Sequence, residues 1–173
     1  VAAGTNRAVN FNFFVHEEPD LARYDPAPMQ AALAPYYEEY GLGAVPAPQP
    51  GGPSFNDATL ETLLACAPKV VSFHFGLPPP HAIEALQRAG ALLIGNATNV
   101  AEARALEDGG MDAIVAQGAE AGGHRGMFLS EDLSTQVGTV ALLPQIVQRM
   151  KIPVIAAGGI GGLGLAALIL VRP

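Results

Sequence analysis

Three short β-rich runs recur along this chain at nearly the same interval. Val70-Val71-Ser72-Phe73-His74-Phe75, Ala91-Leu92-Leu93-Ile94-Gly95 and Asp112-Ala113-Ile114-Val115-Ala116-Gln117 begin about 21 residues apart. β-Branched and aromatic residues over five or six positions read as strands, and the interval leaves room for one helix between each pair. Pro78-Pro79-Pro80 suits the first turn of a helix, with Ile83, Leu86 and Gln87 at helical spacing before Gly90. Asn99 with Glu102 three positions on predicts an N-cap and capping box, and Ala103 and Leu106 carry that helix to Gly109-Gly110. Strands that alternate with helices in this way predict a parallel α/β sheet, either a barrel or an open doubly wound sheet.

The rhythm then stretches. The next strand, Ile152 to Ala157, starts about 41 residues after the third, behind a helix over 140–150, so roughly twenty residues are inserted after Gln117. Long loops in compact domains usually serve function. Upstream, Ala8 to Phe14 reads as a further strand, and Met29 to Tyr40 as a helix that Pro35 kinks or ends early. Val45 to Pro53 is a Pro/Gly-rich loop, and Leu60 to Cys66 a helical pattern in which Cys66 reads as a small packed residue. Polar groups fall at or near several strand ends: Asn12, His74, Gln117 and the glycines after Ala157. A barrel brings such positions to one mouth. No Gly-x-Gly-x-x-Gly fingerprint follows the first strand, which also favours the barrel.

The insertion opens with Gln117-Gly118-Ala119-Glu120-Ala121-Gly122-Gly123-His124-Arg125-Gly126. Glycines at the end of a buried strand let backbone N–H groups approach an anion, and Glu120, His124 and Arg125 can move protons or hold charge beside them. Arg125 suits either of two roles, steering an anion or holding the loop to Glu120. Period-two alternation puts His74 on the face of Ser72, opposite Val71, Phe73 and Phe75, where it either lines the pocket or serves as a hydrogen-bonded core residue. Asn10 shares a face with Asn12. His16 with Glu17, Glu18 and Asp20 reads as a solvated loop, and no metal site is expected.

Composition narrows the partners. At 173 residues, 50% hydrophobic and 14% charged, the chain is expected to form a single core-rich domain over 1–173. A formal charge of −7 argues against nucleic acid and anionic membranes. One cysteine builds no disulfide framework. No apolar run approaches the ~18 residues of a membrane span, and the first residues carry no signal-peptide pattern. A cytoplasmic protein is the expectation.

Ile114 to Gly126 closely resembles the signature of nitronate monooxygenases, formerly 2-nitropropane dioxygenases. Arg7 to Phe14 followed by His16, Val71 to Pro78, and Pro153 to Ile160 match that family in order as well, so the likeness covers nearly the whole chain. The resemblance implies an FMN-dependent (β/α)8 TIM barrel that oxidises alkyl nitronates or nitroalkanes with O2 to carbonyl compounds and nitrite. It further implies His124 as the catalytic base and Asn12, Gln117, Gly122, Gly158 and Gly159 as FMN contacts. FMN-dependent enoyl-acyl-carrier-protein reductases share Glu-Ala-Gly-Gly-His but carry an aliphatic residue where Arg125 stands, and they form the alternative. In the family a strand and a Met/Gly-rich segment come before the first strand seen here. After Ile160 it usually continues with Ala-Asp-Gly-Arg and later a Gly-Thr phosphate turn, where this chain reads Gly161 to Pro173. The expectation is therefore a barrel truncated at both ends, with about five of eight strands, and an inactive remnant is the third reading.

Overall fold

The computed structural model of the chain describes residues 7–17, 20, 23–49 and 54–161. Its five strands are β1 (Asn10–Phe14), β2 (Val70–His74), β3 (Leu92–Ala97), β4 (Ala113–Gln117) and β5 (Val154–Ala157). They form one sheet in chain order, every neighbouring pair parallel. A doubly wound sheet reverses its strand order at a switch point, whereas here each strand lies beside the next, as the staves of a barrel do. The sheet is part of a (β/α) barrel, as expected.

Contacts divide the chain into two compact units, Val1–His16 with Ser54–Pro173, and Glu17–Pro53. The second holds α1 (Ala27–Glu39), which runs through Pro35 instead of stopping there. No residue of α1 is buried, so water can satisfy the carbonyl that loses its partner to proline. The first unit holds the sheet with α2 (Asp57–Ala65), α3 (Pro80–Arg88), α4 (Val100–Asp108) and α5 (Thr139–Val147). Asn56 and Asn99 cap α2 and α4, each accepting from the backbone N–H three residues on, at 3.0 and 2.9 Å. Cys66 is exposed at the end of α2, not packed.

The helices cover one face of the sheet. Phe11, Phe13, Val71, Phe73, Leu93, Ile114, Ala116 and Val154 point that way and pack with Leu63, Ile83, Leu86, Leu106, Leu142 and Ile146. Gly95 belongs to this face because any side chain there would overlap Leu106. Residues 162–173, which make up most of the stretch that departs from the family pattern, and Glu18 lie outside the described residues. Among the described residues no helix is long and apolar enough to cross a membrane.

Candidate active site

The opposite face changes character along the strands. Its apolar positions are Val70, Ile94 and Val115, half-buried, and Leu92 and Ile155, 46% and 40% exposed, while Asn10 opens β1 on the same face. Near the carboxyl ends it carries Asn12, Ser72, His74, Asn96 and Gln117. Parallel register pairs Asn12 with Ser72, Ser72 with Ile94 and Ile94 with Ala113, so Asn12 and Gln117 share this face. Asn10 Nδ2 donates to Ser72 Oγ and Ser72 Oγ donates to Asn12 Oδ1, both at 2.9 Å. That relay fixes the Asn12 amide, whose nitrogen has no partner among the described residues.

The long loop after β4 folds back over these strand ends. Gln117 Oε1 accepts from Gly126 N at 2.8 Å and Asn96 Nδ2 at 3.3 Å, while Gln117 Nε2 donates to His124 O at 2.8 Å. His74 Nε2 lies 3.0 Å from the same carbonyl. A carbonyl only accepts, so this nitrogen carries the proton. Burial holds His74 below the usual imidazole value; its bond to the His124 carbonyl opposes that shift and the His124 side chain adds to it. Gly126 admits the close packing, since a Cβ there would overlap Asn96 and the His74 ring.

His124 thus has a main chain pinned from two strands and an exposed ring. The imidazole meets the rings of Phe14 and Phe75 edge-on, with centroids 5.1 and 6.0 Å away, and its nitrogens have no partner among the described residues. Such a group is free to exchange protons without the loop moving.

Phe75 departs from the alternation that assigned it to the helix-covered face. β2 ends at His74, and Phe75 takes φ 69°, a conformation rare for a bulky residue. Its ring turns to pack against His74, Phe14 and His16 at 4.7, 5.2 and 5.8 Å. Backbone outliers of this kind persist where the surroundings over-determine them, often at functional sites. The same cluster recruits His16 from what reads in sequence as a solvated loop, with its Nδ1 enclosed and unpartnered among the described residues. No periodic signal foretells either residue.

Glu120 turns from the mouth. Its Oε2 accepts from Thr139 N at 2.7 Å and Thr139 Oγ1 at 2.9 Å, capping α5 in place of Gly138, which has no side chain to do so. The Thr139 backbone N–H is the chief reason its carboxyl lies below the usual range. Thr139 Oγ1 also sits 2.9 Å from Gly158 O, so one threonine gathers the loop, α5 and the turn after β5. Gly158 and Gly159 form that turn with φ 114° and 67°. Arg125 Nη1 donates to Gln117 O, while its Nε and Nη2 are enclosed without partners among the described residues. The guanidinium therefore points at the end of β4 and bonds Gln117, not Glu120. Burial lowers its pKa, against the pull of the Glu102 and Glu120 carboxylates.

Gly122 is exposed and a Cβ there would meet nothing. Nothing within the fold requires glycine at 122, and bare backbone faces open space at the mouth. A cavity of about 390 Å³ lined by Phe11, Phe13, Thr59, Leu63 and Cys66 lies behind the sheet between β1 and α2, on the other face from His124.

A family model described as nitronate monooxygenase matches residues 5–170. The chain belongs to the nitronate monooxygenase family. The match takes in every strand of the sheet and the whole loop that carries His124. The nitronate monooxygenase of Paraburkholderia phytofirmans is 43% identical over 169 residues, which cover 94% of this chain and 45% of that protein. A probable nitronate monooxygenase of Staphylococcus haemolyticus is 39% identical over 166 residues, covering 94% and 46%. The chain therefore spans about half the length of the curated relatives it matches. Among solved structures, nitroalkane oxidase from Streptomyces ansochromogenes is similar with TM-score 0.80 and 40% identity, over 95% of this chain and 47% of its own. A FabK variant from Thermotoga maritima is similar with TM-score 0.54 and 34% identity, over 65% and 35%.

Proposed function

We propose that this chain forms the FMN- and substrate-facing part of a nitronate monooxygenase, within one partial barrel domain over 1–173. The reaction is oxidation of alkyl nitronates or nitroalkanes with O2 to carbonyl compounds and nitrite. The observation that carries this reading is the exposed imidazole of His124, whose nitrogens have no partner among the described residues, on a main chain fixed by His74 and Gln117. His124 takes the α-proton of a neutral nitroalkane and exchanges protons with the anionic nitronate. Phe14 and Phe75 flank the imidazole with apolar surface, which suits an alkyl group.

The residues at the mouth fit FMN. Asn12 offers a free amide nitrogen, Gln117 retains one N–H, and Gly122 presents bare backbone to open space. Gly158 and Gly159 turn their backbone beside Thr139 at the end of β5, where amide donors suit an anionic group. FMN, when bound, supplies the redox chemistry with O2 that no side chain here provides. His74, whose imidazole burial holds below its usual value, and Arg125 act behind the pocket by holding the loop, not by touching substrate.

The test is reconstitution of the chain with FMN followed by turnover assays on His124→Asn. The reading expects yellow protein with flavin absorption, and a fall of about 10²–10⁴-fold on neutral nitroalkanes with preformed nitronate spared. Equal loss on both substrates removes proton abstraction by His124. Protein that stays colourless after FMN soaking supports the inactive remnant. Reduction of a crotonyl thioester by NADPH, without nitronate turnover, would instead support the enoyl-reductase reading.

A further inference from the structure

We propose that Glu102 is a positioning residue, a buried carboxylate that latches the loop carrying His124 to the start of α4. The inference rests on reading His124 as the catalytic base. Glu102 has no exposed surface, and no arginine or lysine among the described residues forms an ion pair with it. It does not close the capping box that the sequence predicts, which would send its carboxylate to the N–H of Asn99. Instead Oε2 accepts from Thr98 N and Thr98 Oγ1, each at 2.7 Å. Oε1 reaches across the chain to Phe128 N at 2.9 Å and Leu129 N at 3.3 Å. Four donors occupy a carboxylate's four acceptor sites, which is what a buried charge demands.

The placement of those bonds gives them their role. Among the described residues, every hydrogen bond that leaves the stretch 127–136 for another part of the fold ends on Glu102. Immediately before that stretch, Gly126 N binds Gln117 Oε1 and His124 O receives His74 and Gln117. The latch thus adjoins the pins that fix the His124 main chain. Arg125 lies between them, close enough for its charge to interact with Glu102 as well as with Glu120, and its Nε and Nη2 make no hydrogen bond among the described residues. Loss of the Glu102 charge removes the loop's tether to α4 and an attraction on the residue next to the base.

Residue-resolved hydrogen exchange on the full chain tests the latch without any need for turnover. Glu102→Gln keeps the shape but sets an amide N–H₂ against backbone donors, so the amides of Phe128 and Leu129 should exchange at least tenfold faster while β2 and α3 keep their rates. Glu102→Asp, one methylene too short to reach both Thr98 and Phe128, should show the same local change and serves if the first variant fails to fold. Unchanged exchange at both amides, or acceleration spread evenly through β3, α4 and β4, overturns the latch. In the FMN-loaded chain, Glu102→Gln should lower kcat on neutral nitroalkanes at least tenfold, with KM nearly constant and no further loss when added to His124→Asn. Faster exchange with unchanged kcat overturns the positioning role. If the parent chain turns over no nitronate, the proposed function fails while the exchange result still decides the latch.

Discussion

The two faces of the five-stranded sheet are built from the same strands, yet they obey different rules. On the helix-covered face, Val71, Phe73, Leu93 and Ile114 are almost wholly buried, and their polar neighbours are the backbone bonds of the ladder. On the other face, polar side chains form short relays: Asn10 to Ser72 to Asn12, and Asn96 to Gln117 to the main-chain carbonyl of His124. The first face derives its stability from apolar area removed from water. The second derives order from directional bonds whose net contribution to stability is about 0.5–1.5 kcal/mol each. Stability and chemistry are thereby separated by the thickness of one sheet.

That separation makes the largest prediction. Phe73→Ala, at 1% exposure, should lower unfolding free energy by about 3–5 kcal/mol. Asn12→Ala, on an exposed relay, should cost less than about 1 kcal/mol and act on FMN affinity instead. Urea unfolding and FMN titration of both variants measure the contrast, and equal stability losses would break it. Gly126→Ala should fall between them at about 1–3 kcal/mol, because its Cβ would overlap both Asn96 and His74. The expected accompaniment is loss of the His74–His124 contact, seen as a shift of the His74 ring resonances. A variant that keeps those resonances would show that the loop has slack the packing denies.

Much of the helix-covered face is legible in the sequence because its signals are local and periodic. Five strands, the Asn99 cap and the placing of Val71 and Phe73 opposite Ser72 and His74 follow from spacing, turn residues and alternation. The mouth is legible only in part. Phe75 defeats alternation because the strand ends one residue earlier and its backbone adopts a left-handed conformation. Glu102 looks like a capping-box residue because three-residue spacing cannot reveal that Phe128, 26 positions away, offers a stronger claim on its carboxylate. His16 joins the aromatic cluster through tertiary contact alone. The loop motif discloses its residue types but not their directions. Glu120 and Arg125 turn back toward the scaffold, and only His124 keeps a free ring at the mouth.

Glu120 gives the smallest and most specific test of that division. Its carboxylate caps α5 from the surface, so its worth depends on charge and not on buried area. Because the Thr139 bonds lower its pKa below the ordinary 4.5, the folded state favours the charged form. Its stabilising contribution is complete above the ordinary value and disappears as pH falls through the lower, folded one. Glu120→Gln should therefore melt below the parent at neutral pH, and the gap should narrow steadily under acid. Melting curves across that range decide the matter. A gap that stays constant would mean the side chain stabilises α5 through packing, and the boundary between an apolar face that stabilises and a polar face that positions would need redrawing at this helix.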